Sequence, residues 1–328
     1  MFIQYGILFV GFLLLIKGAD LFVEGSSGIA RIFKVPSLII GLTIVAVGTS
    51  APELAVSIVA ALNDANEIAL SNVIGSNIFN ILVVLGLCSI FTSVPVEEKV
   101  IKRDLPFSIL FYLFMLIVVG LNMIFRFGIE NVTSLHMQDE IAVIGRVLGV
   151  ILLLIFIIYI YYIINEAIKN PIEVVEEEIN ISIYKCIIFI IIGIVMIVFG
   201  GQFVVDSAKS IALSFGMSET LVGLTIVAVG TSLPELITSI VAAKKNELDL
   251  AVGNVIGSNI FNFLFILGLS SVLSPVEVNF ASFIDLIILF FINILTLVFA
   301  LTSKKITMRE GVVFLLIYLM TIMIAYTR

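Results

Sequence analysis

Residues 41–87 read GLTIVAVGTSAPELAVSIVAALNDANEIALSNVIGSNIFNILVVLGL, and residues 223–269 read GLTIVAVGTSLPELITSIVAAKKNELDLAVGNVIGSNIFNFLFILGL. The two stretches align without a gap at an offset of 182, and 32 of the 47 positions are identical. The register reaches upstream, pairing Gly18 with Gly200 and Glu24 with Asp206. Downstream it survives one two-residue shift, pairing Pro95 with Pro275. Identity of that extent marks an internal duplication, so the fold is built twice from one plan.

The repeated unit belongs in a membrane. Hydrophobic residues make up 61% of the 328 and charged residues 12%, against roughly 25% charged in an ordinary soluble chain. So few polar groups cannot cover a water-facing surface. Apolar runs recur along the whole sequence, each long enough to cross a hydrocarbon core of about 30 Å. Breaks at polar and Pro/Gly-marked points predict ten helices, at about 2–30, 36–62, 67–91, 104–125, 141–165, 183–213, 219–244, 249–273, 279–301 and 308–327. The first starts without a basic leader segment and runs on without a clear cleavage site, which predicts a retained helix. Five spans per repeat is an odd number, so the second repeat should enter the membrane inverted.

Loop charges give the expected orientation. The side of the N-terminus carries Arg126, Arg146, Lys209 and Arg328. The other side carries Arg31, Lys34, Lys99, Lys102, Arg103, Lys169, Lys185, Lys244, Lys245, Lys304, Lys305 and Arg309. That bias places both termini outside the cytoplasm. The predicted fold is therefore an all-α integral membrane protein of the cell membrane, with ten transmembrane helices as two inverted five-helix repeats. The first repeat covers 1–165 and the second 183–328, joined by an acidic cytoplasmic linker, 166–182. Most of the acidic excess behind the net charge of −7 lies in that linker, the usual composition of a solvated loop. No basic patch with interleaved aromatics suggests nucleic acid, and Cys88 and Cys186, set in apolar stretches, read as packing residues.

The chemistry lies in two motif pairs. GTSAPEL (residues 48–54) and GTSLPEL (230–236) each put a glutamate, Glu53 or Glu235, mid-span. A carboxylate there costs roughly 2.5–3.5 kcal/mol on insertion scales, so its presence twice at matched positions points to function. Pro52 and Pro234 lack amide hydrogens, which frees the Gly48 and Gly230 carbonyls from their helical partners. Freed carbonyls at membrane depth are tolerated where they line a cavity or bind an ion. Ala46, Thr49, Ser50 and Glu53 share one helix face by spacing, as do Ala228, Thr231, Ser232 and Glu235. Carbonyl, hydroxyl and carboxylate oxygens together suit hard cations such as calcium and sodium.

In the second pair, SNVIGSNIFN (71–80) and GNVIGSNIFN (253–262), polar stripes recur at four-residue spacing: Asn72, Ser76 and Asn80, and Asn254, Ser258 and Asn262. Amides add neutral oxygen ligands. Polar residues also glue membrane helices together, and for Asn72, Asn77, Asn254 and Asn259 the sequence leaves both roles open. Asp20, Glu24 and Asp206 suit either ion guidance at an entrance or simple pairing. The single histidine, His136, falls in a loop, so neither a His-Glu-x-x-His metalloprotease helix nor a serine–histidine dyad within the spans is available. A channel remains the competing transport class, with mid-membrane glutamates usually arranged as rings from several subunits.

The paired GTS-x-PE and GSN-x-x-N motifs resemble the alpha repeats of the calcium/cation antiporter superfamily, specifically its sodium/calcium exchanger branch of prokaryotic type. The resemblance covers both repeats and the ten-span layout. It implies that Glu53 and Glu235 coordinate a central cation with Asn80 and Asn262 beside them. Thr49, Ser50, Thr231, Ser232, Ser76 and Ser258, with the carbonyls of Ala46 and Ala228, would supply further oxygens to it or to flanking sodium sites. It also implies that the first and sixth spans form a sliding gate. Calcium and sodium would be transported ions and no cofactor is implied; a monomer is compatible with this. Asn262 stands where potassium-dependent members and some prokaryotic members carry Asp, which argues against potassium co-transport. The Gly-Asn-Ala-x-Glu motif of the proton-coupled branch is missing. Ser71 replaces the glycine found at 253, which predicts looser packing there, and the linker is too short for calcium-sensing domains.

Overall fold

The computed structural model describes residues 2–63, 66–128, 136–137, 139–171, 182–215 and 228–327. Helices dominate, because a backbone in hydrocarbon must satisfy its amides within one segment. In chain order they are α1 (Phe2–Ile32), α2 (Ser37–Thr49), α3 (Ala51–Leu62), α4 (Glu67–Phe91), α5 (Val100–Phe127), α6 (Arg146–Lys169) and α7 (Ile183–Ser214). They continue with α8 (Leu233–Lys244), α9 (Leu248–Leu273), α10 (Phe280–Ser303) and α11 (Met308–Thr327). Eight of these are single helices long and apolar enough to cross a membrane, and α2 with α3 makes a ninth candidate span, broken in the middle. The expected seventh span, 219–244, is described only from residue 228. Likewise, 172–181 of the expected linker lie outside the described residues.

Two details depart from an all-helical reading. The span expected from 141 begins at Arg146, because residues 140–144 form a strand, β2 (Glu140–Ile144). It pairs antiparallel with β3 (Val276–Asn279), setting Ala142 opposite Val278 and Ile144 opposite Val276. A second short antiparallel pair joins β1 (Val94–Pro95) to β4 (Lys305–Ile306). Both pairs include Val and Ile residues and lie beside helix ends, where pairing satisfies backbone groups that no helix covers.

By its contacts the chain divides into two units: 1–52 with 160–258, and 53–159 with 259–328. Each unit draws on both repeats.

In the first unit, α1 and α7 pack along their length through glycines spaced seven apart. A Cβ on Gly18 would lie 3.0 Å from the Gly193 carbonyl oxygen, and one on Gly200 2.9 Å from that of Gly11. The contact order runs in opposite directions along the two helices, so they are antiparallel. Small residues at such crossings let backbones meet where lipid offers no hydrophobic drive to associate. Lys245 Nζ lies 2.7 Å from Asp20 Oδ1 and 3.8 Å from Glu24 Oε2, and Arg31 lies 3.1 Å from Glu247. Asp20 and Glu24 are thus pairing residues for the turn that follows α8.

In the second unit, the start of α5 holds a fully buried carboxylate. Arg103 reaches Asp104 at 2.7 and 3.0 Å, and the Tyr159 hydroxyl donates to Asp104 Oδ1 at 2.9 Å. Removing one partner of a buried pair costs about 3–5 kcal/mol, because the other charge is stranded. Asp104→Ala is therefore expected to lower the melting temperature sharply in a thermal unfolding scan, and unchanged unfolding would mean that Arg103 finds another partner. Cys88 and Cys186 are both free and buried, in keeping with packing roles.

Candidate cation site

Both glutamate motifs break their helices in the same way. α2 ends at Thr49, Ser50 sits at φ −83°, ψ 11°, and α3 restarts with Pro52 in its first turn. In the other motif Ser232 sits at φ −91°, ψ 6°, and α8 restarts with Pro234 in its first turn. Proline is tolerated there because the first-turn amides of a helix have no intrahelical partner. The break puts Glu53 and Glu235 in the first turns of their helices, where the positive end of the helix dipole favours a carboxylate. The sequence showed freed carbonyls; the dipole at each glutamate is an addition from the structure.

In the first unit the oxygens gather on Glu235, whose side chain is fully buried. Ser50 Oγ donates to Glu235 Oε1 at 2.8 Å, and Ser258 Oγ lies 3.5 Å from the same atom. Glu235 Oε2 and Thr231 Oγ1 are buried with no hydrogen-bond partner among the described residues. Thr49 Oγ1 donates to Asn254 Oδ1 at 3.0 Å and lies 3.5 Å from Ser258 Oγ. The Ala46 carbonyl accepts from the Ser50 amide at 3.0 Å and faces the Ser258 hydroxyl at 3.4 Å. Ser232 is fully buried. Ala228 begins the described stretch ahead of α8.

In the second unit Glu53 is equally buried, with Ser76 Oγ 3.4 Å from its Oε1. Asn80 and Asn262 are fully buried as well, and the Oδ1 atom of each has no partner. π-helical turns run through Asn80–Leu85 and Phe261–Ile266. Such turns are rare and collect at functional sites; nothing in the sequence pattern announced them.

The asparagines separate into two roles. Asn72 Nδ2 donates to the Glu53 carbonyl at 3.3 Å and to Ser57 Oγ at 3.1 Å. Asn254 Nδ2 repeats this with the Glu235 carbonyl at 3.4 Å and Ser239 Oγ at 2.9 Å. Both amides tie the backbone behind a glutamate to the neighbouring helix, so they brace the site. The predicted polar stripes therefore split, with Asn80 and Asn262 each keeping a buried oxygen that has no partner among the described residues. Among the described residues no three His, Cys, Asp or Glu side chains cluster as a metal site. The buried acids of the two motifs, Glu53 and Glu235, each have a serine hydroxyl within 3.5 Å.

Buried carboxylates at helix breaks, each with a hydroxyl within reach in a chain of membrane-length helices, fit a membrane transporter of cations and not an enzyme. The comparisons are specific. The profile of the family described as sodium/calcium exchanger protein matches residues 3–165 and 185–327, and the chain belongs to that family. It is 32% identical over 362 residues to the sodium/calcium exchanger MaX1 of Methanosarcina acetivorans, covering 99% of each chain. It is 35% identical over 317 residues to a membrane protein of Methanocaldococcus jannaschii, covering 97% of this chain and 96% of that one. Among solved structures, the sodium-calcium exchanger NCX_Mj soaked with Na+ and Sr2+ superposes with a TM-score of 0.81 at 33% identity, covering 98% of both chains.

Proposed function

We propose that this protein exchanges calcium for sodium across the cell membrane by alternating access. One observation carries the reading: Glu235 presents a fully buried carboxylate oxygen that no group among the described residues satisfies, an arrangement too costly at membrane depth unless a cation uses it. The twofold sequence plan assigns Glu53 the matching role. Together the two carboxylates carry −2 and neutralise one calcium ion. Asn80 and Asn262 add neutral amide oxygens, while Thr49, Ser50, Ser76, Thr231, Ser232, Ser258 and the Ala46 and Ala228 carbonyls serve calcium or flanking sodium ions. Because sodium and calcium draw on overlapping oxygens, occupancy by one excludes the other, and that exclusion couples the two fluxes.

The architecture proposed is ten spans in two inverted repeats, 1–165 and 183–328, with both termini outside the cytoplasm and the 166–182 linker inside. The antiparallel packing of α1 on α7, the first described helix of each repeat, supports inversion. The relatives described as sodium/calcium exchangers support the choice of ions, and Asn262 in place of aspartate favours exchange without potassium.

The test is calcium-45 uptake into proteoliposomes loaded with sodium, beside potassium, choline and proton-gradient controls. Uptake driven by the outward sodium gradient alone is expected. Uptake driven by a proton gradient instead would move the protein to calcium/proton antiport at the same site. No calcium uptake under any gradient would overturn the calcium assignment, and uptake without any counter-ion would indicate a channel.

A further inference from the structure

Four asparagines in the second unit, Asn77, Asn80, Asn259 and Asn262, form a buried amide lattice, with three fully buried and Asn259 1% exposed. Asn77 Nδ2 donates to the Asn259 main-chain carbonyl at 3.0 Å, and Asn259 Nδ2 donates back to the Asn77 carbonyl at 3.3 Å. The second Asn77 Nδ2 hydrogen goes to the Tyr112 hydroxyl oxygen at 3.0 Å. A main-chain carbonyl only accepts, so both amides are held with nitrogen toward the backbone and oxygen away from it. Their Oδ1 atoms are then the acceptors for the next shell: Asn262 Nδ2 donates to Asn77 Oδ1 at 3.2 Å, and Asn80 Nδ2 to Asn259 Oδ1 at 3.1 Å. Turning either outer amide around would set oxygen against oxygen in a buried site. Asn80 Oδ1 and Asn262 Oδ1, the atoms left without a partner, are fixed as outward-facing acceptors.

We propose that Asn77 and Asn259, with Tyr112 behind Asn77, are positioning residues that lock the Asn80 and Asn262 carboxamides oxygen-outward for the transported cation. The inference rests on Asn80 and Asn262 being ion ligands. Outer-shell partners that orient a metal ligand typically change affinity by about 10–100-fold when removed. The arrangement is also lopsided: among the described residues, Tyr112 gives Asn77 an acceptor that Asn259 lacks, so its effect passes to the cation through Asn262.

The experiment measures calcium binding by titration calorimetry, the KM and maximal rate of calcium-45 uptake, and thermal unfolding with and without calcium. Asn77→Ala and Asn259→Ala are expected to weaken calcium binding about 10-fold or more and to raise KM. Maximal rate should fall less than affinity, and the melting temperature without calcium should fall as well, because Asn262 Nδ2 or Asn80 Nδ2 loses its buried acceptor. Tyr112→Phe removes one oxygen only and should weaken binding about threefold, an effect equal to ~0.65 kcal/mol. In an Asn262→Ala background the Tyr112→Phe change should add nothing. Equal calcium affinity in wild type, Asn77→Ala and Tyr112→Phe would overturn the proposal, as would parallel losses of rate and ligand-free stability at unchanged affinity. Should Asn77→Ala fail to fold, the Tyr112→Phe pair of backgrounds decides alone. The parent reading is tested separately by Asn80→Ala and Asn262→Ala. If these bind calcium normally the ligand assignment falls; if they bind weakly while the Asn77 and Tyr112 variants do not, only the positioning role falls.

Discussion

Glu53→Gln and Glu235→Gln are each expected to abolish sodium-driven calcium uptake in a protein that stays folded, with calcium binding weaker by about 1,000-fold, or ~4 kcal/mol. Glutamine keeps the size of glutamate and one carbonyl oxygen. In the Glu235 variant that oxygen can still accept from Ser50, which now donates to Glu235 Oε1 at 2.8 Å. The packing around α8 is thereby preserved, and what disappears is one negative charge on a fully buried side chain. The insertion cost of that charge, roughly 2.5–3.5 kcal/mol, disappears with it. The ligand-free melting temperature should therefore hold or rise, while the stabilisation that calcium confers by binding the folded state is lost. Calcium-45 uptake and paired thermal scans with and without calcium check both halves. Sodium-driven calcium uptake retained in both variants would remove the glutamates from the cation site.

Much of this arrangement is legible in the sequence because two independent constraints coincide there. Hydrocarbon thickness forces long apolar runs, so the spans around α5, α7, α10 and α11 follow from composition alone. The duplication then filters the polar residues, since a glutamate or proline repeated at an offset of 182 inside apolar runs marks a feature kept in both copies of one plan. Pro52 and Pro234 mark where helical carbonyls are freed, but the expected spans, 36–62 and 219–244, are continuous. The helices instead break at Ser50 and Ser232, with closely similar backbone angles.

What failed to come through has a common physical origin. Spacing arguments assume a helix with one polar face, yet the membrane windows of α4 and α9 are 83% buried, so every face meets protein. On such a helix Asn72 and Asn80 share a stripe but serve different partners, while Asn77, off the stripe, is as deeply buried as either. The direction of an amide, oxygen or nitrogen outward, is set by main-chain carbonyls from the other repeat, which no local pattern encodes. The strands at 140–144 and 276–279 were missed for a related reason: their pairing joins segments far apart in sequence, and each run is short enough to pass for a frayed helix end.

The second large effect lies where two backbones touch. Gly253→Leu is expected to yield no folded, transport-competent protein, and Gly253→Ala one less stable by about 2–3 kcal/mol, in the range for overpacking a tight core. A Cβ at 253 would lie 2.5 Å from the Leu38 carbonyl oxygen and 2.9 Å from Gly41 Cα, and a Cβ at 41 would meet the Leu250 carbonyl oxygen at 2.6 Å. These neighbours are backbone, so no rotamer change makes room and α2 must move off α9. The same helix contact carries the bond from Thr49 Oγ1 to Asn254 Oδ1 at 3.0 Å, and Asn254 in turn braces the carbonyl of Glu235. Separating the backbones would therefore disturb the carboxylate as well as the packing. The matching position of the first repeat is Ser71, which is exposed, and residues 220–224, which match Leu38–Leu42 in the repeat, lie outside the described residues. Gly120→Ala provides the control, since its added methyl would find its nearest neighbour, Phe283, at 3.8 Å. Thermal unfolding of purified protein and calcium-45 uptake should separate the two glycines clearly. A Gly253→Ala protein with wild-type stability and uptake would show that α2 and α9 can part without loss, and that the close approach is not what holds Asn254 behind the glutamate.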